Sequence, residues 1–289
     1  MAFAFLFPGQ GSQSLNMMDG FAAPIVKETF DEASEALGED LWAMLKADSA
    51  EAINQTINTQ PLMLAAGVAT YRAWLAAGGA TPTHFAGHSL GEYSALVAAD
   101  ALDFDDAVRL VRLRAEAMQS AVPAGEGAMA AVLGLDDAEI VLACAEAAAG
   151  DVVSAVNFNA PGQVVIAGSK AAVDRAIAAC KARGAKRAMP LPVSVPSHCA
   201  LMRPAADKLA EALVGISVNV PLVPVIHNAD VASYTDPAAI IDVKQGLQSV
   251  RGAWIAERGD TERYEGRKPV ALDDGSKSED AARLAQLRQ

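Results

Sequence analysis

The chain has 289 residues, 52% of them hydrophobic, enough to bury a large core as one sizeable domain or one domain carrying an insert. Its formal charge of −12 argues against nucleic acid or an anionic lipid surface as partner. No apolar run approaches the ~20 residues of a membrane span, so no membrane segment is expected. In chain order, residues 3–7 form an aromatic-rich apolar stretch with no basic segment ahead of it. They read as a first strand and not a signal peptide, and they run into the loop Pro8-Gly9-Gln10-Gly11-Ser12. Residues 25–37, 41–47 and 61–77 carry helical spacing of apolar side chains. A short apolar run at 83–86 precedes Gly87-His88-Ser89-Leu90-Gly91, and an Ala/Leu-rich helical run follows at 92–101. The helix predicted over 104–121 bears Arg109, Arg112 and Arg114.

The texture changes after Pro123-Ala124-Gly125-Glu126-Gly127. Strand 128–133, helix 138–149, strands 152–157 and 164–168, helix 171–183 and strand 186–195 follow. This β-α-β-β-α-β order is the ferredoxin-like pattern. The reading is an α/β protein: a large discontinuous domain, 1–124 and 197–289, with a small α+β domain, 125–196, inserted. A helix over 203–214 and a strand ending at residue 226 return the chain to the large domain. Cys144, Cys180 and Cys199 make an odd count without metal-ligand spacing, which suits a reducing cytoplasm and no metal site.

A G-x-S-x-G at a strand-to-helix turn is a nucleophile elbow. Glycines flank the serine because the turn is tight. The Ser89 hydroxyl then sits above a helix N-terminus, where N–H groups and the macrodipole favour a developing oxyanion. A serine also needs a general base, and histidine suits that task near neutral pH. Of four histidines, His88 adjoins Ser89 and should point its side chain away from it, and His84 lies in the feeding strand. His227, at another strand end, remains a candidate. His198 sits in the proline-bounded turn Val195-Pro196-Ser197-His198 just before a helix and is the preferred base. Its neighbour Cys199 reads as a buried structural thiol.

Six ordered motifs carry a resemblance: Phe7-Pro8-Gly9-Gln10-Gly11-Ser12-Gln13, Thr59-Gln60-Pro61, Ala86-Gly87-His88-Ser89-Leu90-Gly91-Glu92-Tyr93, Arg112-Leu113-Arg114 with Met118-Gln119, Asn157-Phe158-Asn159-Ala160-Pro161-Gly162-Gln163, and Val195-Pro196-Ser197-His198. From residue 1 to about 242 the chain resembles the malonyl-CoA:acyl-carrier-protein transacylases of bacterial fatty-acid synthesis. The resemblance implies a hydrolase-like parallel-sheet α/β core with a ferredoxin-like insert. It implies Ser89 as nucleophile, His198 as base, and the backbone N–H groups of Gln10 and Leu90 as oxyanion donors. Arg114 would clasp the free carboxylate of the substrate, as a guanidinium does and an ammonium does not. His88 and Gln60 would lie near the pocket. Malonyl-CoA is then the substrate, acyl carrier protein the acceptor, and no cofactor is bound. Val195-Pro196-Ser197 follows the fatty-acid pattern and favours malonyl over other extender units.

Arg109 and Arg112 read as a solvated helix face. Lys181, Arg183, Lys186 and Arg187 form a basic run in an acidic chain. It is either a solvated helix end or, at Lys186 and Arg187, part of the footprint of the acidic carrier protein. The chain departs from the family after residue 242: it lacks the Gln-Leu-Tyr segment whose carbonyl orients the histidine, leaving Gln245 or Gln248 for that contact, and the later Gly-Pro-Gly. The polar stretch at 266–289 has few large apolar residues, which predicts disorder over 273–280. Two alternatives follow from that departure: a serine (thio)esterase admitting water, or a catalytically impaired carrier-binding module. A single α/β unit is compatible with a monomer.

Overall fold

The computed structural model describes residues 2–193 and 195–245. The elements up to the middle of the chain are β1 (Ala4–Phe7), α1 (Pro24–Leu37), α2 (Leu41–Leu45), α3 (Glu51–Asn54), α4 (Thr56–Ala76), β2 (His84–Gly87), α5 (Gly91–Ala98) and α6 (Phe104–Ser120). Then come β3 (Gly127–Leu133), α7 (Asp137–Ala148), β4 (Val153–Ala160), β5 (Gln163–Ser169), α8 (Lys170–Ala182), β6 (Arg187–Pro190), α9 (Arg203–Leu213), β7 (Val225–Ile226) and α10 (Pro237–Gln245). The chain divides into two compact units, one of Met1–Glu116 and Leu209–Gln245, the other containing Ala117–Lys208. The segment 125–196 falls inside the second. No helix among the described residues is long and apolar enough to cross a membrane.

The first unit is built on a parallel sheet in the order β1-β2-β7. Phe7 pairs with Gly87 and Ala86 with Ile226, so the three strand ends that carry the loops lie side by side. Aromatic side chains explain the strands. Phe85 is fully buried, with its ring 5.0 Å from Tyr71 and 5.9 Å from Phe7. Burying a side chain of this size contributes about 1.5–3 kcal/mol. Helix α4 is buried all round from Thr59 to Ala69, so it runs through the core without a polar stripe. It starts at Thr56, ahead of the expected 61, although Pro61 has no N–H to give the helix. Thr59 Oγ1 donates to the Ile53 carbonyl at 2.6 Å and Asn58 Nδ2 to that of Ala52 at 3.1 Å, which ties the start of α4 back to α3.

The second unit holds a four-stranded antiparallel sheet in the order β4-β5-β3-β6. Counted within the unit, that is 2-3-1-4, the ferredoxin-like arrangement. Helices α7 and α8 pack on each other and on the sheet through Ile140, Cys144, Ile166, Val173, Ile177 and Cys180. Strand β6 ends at Pro190, short of the expected 195, because Pro190, Pro192 and Pro196 cannot donate to a ladder.

Candidate active site

Ser89 sits at the turn between β2, the central strand, and α5. Its φ is 53°, in the left-handed region that a non-glycine residue adopts only when its surroundings impose it. The glycines do the imposing. A methyl group on Gly87 would stand 2.0 Å from the Gly91 carbonyl carbon, and one on Gly91 would stand 2.3 Å from the Phe7 carbonyl oxygen. Gly9 is equally confined, 2.6 Å from the His88 carbonyl oxygen and 2.9 Å from its Nδ1 at the same point. Strand end, glycine-rich loop and elbow therefore interlock by backbone contact, and His88 turns its ring toward Gly9. Gln10 is exposed on this loop, with Nε2 donating to Thr56 Oγ1 at 3.2 Å. Leu90 lies in the first turn leading into α5, where amide groups have no partner inside the helix.

Arg114 projects from α6 and is only 4% exposed. Its Nη1 donates to Gln60 Oε1 at 2.8 Å, and its Nη2 lies 3.3 Å from Ser89 Oγ. The Tyr93 ring centroid is 5.9 Å from the guanidinium carbon. Burial lowers the Arg114 pKa, while burial pushes that of Tyr93 up to about 12, so the phenol stays neutral beside the cation. Ser89, Arg114 and Gln60 are thus brought together inside the first unit. A buried cation next to a serine hydroxyl is arranged to receive an anionic group. Arg109 is exposed and pairs with Asp105 at 3.5 Å, as a solvated face should. Arg112 corrects that expectation. Its side chain is 12% exposed and holds Glu39 through two bonds of 3.0 and 2.6 Å, because its face of α6 is covered.

The roles of Glu92 and Asn228 escaped the sequence reading, and Glu92 meets His227, which that reading left open as a base. Glu92, in the first turn of α5, is fully buried, with Oε1 2.7 Å from His227 Nδ1 and Oε2 accepting the Asn228 N–H at 2.8 Å. The Asn228 side chain bonds the elbow itself, taking the Ser89 N–H on Oδ1 at 2.7 Å and donating Nδ2 to the Gly87 carbonyl at 2.5 Å. His227 is 1% exposed, its Nδ1 is engaged by Glu92, and its Nε2 is buried without a partner among the described residues. It is a structural partner of Glu92. Only the strand ending at 226 hinted at this corner.

In the second unit, His198 also has a left-handed backbone, φ 69°, in a turn where the Ser197 N–H donates to the Val195 carbonyl at 2.9 Å. Cys199 is buried, its Sγ donates to the Pro196 carbonyl at 3.1 Å, and burial pushes its thiol up to about 11. Lys186 and Arg187 are exposed at the start of edge strand β6. Arg183 is committed to Glu139 at 2.5 Å and Glu146 at 2.6 Å. The expectations for Gln248 and for residues 266–289 lie outside the described residues, as does the side chain of Gln245.

A serine held left-handed between a central parallel strand and a helix, with a buried guanidinium at its hydroxyl, places the chain among the α/β serine acyl-transfer and hydrolase proteins. Within that class it belongs to the acyl transferase family: the family described as "Acyl transferase domain" matches residues 4–251. The malonyl CoA-acyl carrier protein transacylase of Escherichia coli K12 is 64% identical over 242 residues, covering 83% of this chain and 78% of that protein. The crystal structure of an acyl carrier protein S-malonyltransferase from Vibrio cholerae superposes with a TM-score of 0.84 at 54% identity, over 91% of this chain and 87% of that one. A malonyl-transacylase in complex with its type II PKS acyl-carrier protein has a TM-score of 0.84 at 53% identity, over 90% and 86%.

Proposed function

We propose that this chain transfers a malonyl group from malonyl-CoA to the phosphopantetheine thiol of acyl carrier protein, supplying fatty-acid synthesis. The observation that carries the reading is the buried Arg114 guanidinium 3.3 Å from Ser89 Oγ. A malonyl ester on that oxygen holds its free carboxylate one methylene from the ester carbonyl, within reach of the same cation. Gln60, bonded to Nη1, fixes the plane of the guanidinium so that its other edge meets the carboxylate.

In the first half-reaction, Ser89 Oγ attacks the thioester carbonyl while His198 takes its proton. The tetrahedral oxyanion accepts the Leu90 and Gln10 N–H groups, and its collapse breaks the C–S bond. The protonated imidazole returns the proton to the departing coenzyme A thiolate. In the second half, the carrier thiol gives its proton to His198, attacks the malonyl ester, and Ser89 leaves with the proton. The scheme is ping-pong and uses no bound cofactor. We assign the chain to the cytoplasm, as a monomer, with Lys186 and Arg187 contributing to the carrier-protein footprint and His88 lining the pocket beside Gly9. Support for His198 comes from the Val195-Pro196-Ser197-His198 motif and its imposed backbone.

The test is intact-protein mass after brief exposure to malonyl-CoA, then after adding holo-acyl carrier protein. A malonyl adduct on Ser89 that moves to the carrier thiol is the expected result. An adduct lost equally fast to water indicates a hydrolase, and no adduct from folded protein refutes catalysis.

A further inference from the structure

The reaction scheme leaves Asn228 without a role, yet its carboxamide makes two bonds to the elbow. Oδ1 accepts the Ser89 N–H at 2.7 Å and Nδ2 donates to the Gly87 carbonyl at 2.5 Å. These bonds straddle His88, so they fix the two peptide groups that lead into left-handed Ser89 and help set the direction of its Cα–Cβ bond. Asn228 is itself braced. Its own N–H is held by Glu92 Oε2, and Glu92 Oε1 meets His227 Nδ1, both residues being almost wholly buried. Each carboxylate oxygen faces an N–H, an arrangement met by ionised Glu92 and a proton on His227 Nδ1. Glu92 lies three residues beyond the nucleophile, so this brace ties the turn after β7 to the helix that begins at the elbow. Packing alone would not require an amide. A donor and an acceptor at this spacing do, because one backbone group presented by the elbow is an N–H and the other a carbonyl.

We propose that Asn228 is a positioning residue for the nucleophile: its carboxamide, braced by the Glu92–His227 pair, holds the turn that aims Ser89 Oγ at the acyl carbon. The proposal rests on the transacylase reading above. Asn228→Ala removes both bonds. Asn228→Asp keeps the shape and the acceptor for Ser89, but turns a second acceptor toward the Gly87 carbonyl.

The experiment measures the single-turnover rate of Ser89 malonylation at saturating malonyl-CoA for the wild type and both variants. The rate of Ser89 labelling by a fluorophosphonate is measured alongside, and malonyl-CoA affinity is compared in the Ser89→Ala background with and without Asn228→Ala. A misplaced attacking atom costs on the order of 100-fold in rate. The expected result is a loss of about that size in malonylation and in labelling for both variants, with affinity changed less than about twofold. Malonylation by Asn228→Ala within about threefold of wild type would overturn the proposal. So would a loss shared equally between rate and affinity, the mark of a merely structural defect. Should Asn228→Ala fail to fold, the near-isosteric Asn228→Asp carries the test. A wild-type chain that takes no malonyl refutes the function, and the fluorophosphonate rates, which need no malonyl-CoA, then still decide the role of Asn228.

Discussion

Replacing Arg114 by alanine should convert a malonyl-selective site into one that favours uncharged acyl groups. The guanidinium is 4% exposed and bonded to Gln60, so a substrate carboxylate meets a cation already stripped of water and held in plane. Removing one partner of a buried, hydrogen-bonded charge pair costs about 2–5 kcal/mol. Taking about 3 kcal/mol, at 1.4 kcal/mol per factor of ten, malonyl kcat/KM should fall roughly 150-fold. Acetyl-CoA has no carboxylate to lose, and the variant no longer holds a buried cation against the acyl chain. Its kcat/KM should stay level or rise. Gln60 Oε1 would lose its donor inside the core, lowering stability by about 1–3 kcal/mol, so both substrates are to be compared below the new melting temperature. The assay is transfer from mixed malonyl-CoA and acetyl-CoA to holo-acyl carrier protein, with the two products separated by mass. A malonyl-to-acetyl ratio unchanged from wild type would refute the reasoning, and so would equal losses on both substrates.

Gly87→Ala should lower stability by about 3 kcal/mol or more and abolish Ser89 labelling, since its methyl group meets backbone 2.0 Å away; chemical denaturation measures the first and a fluorophosphonate the second. Charge reversal at Lys186 and Arg187 together should raise the carrier-protein KM at least tenfold at low salt, with malonyl-CoA KM unchanged and the effect fading as salt is added; steady-state kinetics at two ionic strengths check it. Burial pushes Cys144 up to about 12 and Cys199 up to about 11, so both thiols stay protonated at pH 8, and iodoacetamide should label them only after denaturant is added.

The elbow was legible because its cause is local. Two glycines four residues apart, between a strand and a helix, announce a turn with no room for side chains, and Gly87 meeting Gly91 is that lack of room seen directly. The ferredoxin-like order was legible because each strand and helix of the second unit carries its own period. Chain order then limits the sheet to a few arrangements. Arg112 and Asn228 were not legible, for one shared reason. A lone arginine on a helix looks solvated until Glu39, 73 residues away, is packed against it. An asparagine after a strand looks like a turn residue until that strand is placed beside β2. The early start of α4 was hidden by Pro61, which suits the first turn of a helix and so reads as its beginning, whereas here it lies inside the helix.

The pairing of β2 with β7 also orders events in time. The bond from Ser89 to Asn228 closes a loop of 139 residues, and the segment Ala117–Lys208 of the second unit lies within that loop. On a ribosome, Ser89 and its glycines emerge long before the strand and carboxamide that bond them. Until residue 228 has been made, the left-handed turn lacks the two carboxamide bonds that hold its peptide groups. Reactivity at Ser89 is therefore a late property of the growing chain, acquired only when synthesis has passed through both units. A nascent or truncated chain stopping short of β7 keeps the whole Gly87-His88-Ser89-Leu90-Gly91 motif and yet lacks the carboxamide that ties its peptide groups to the end of β7.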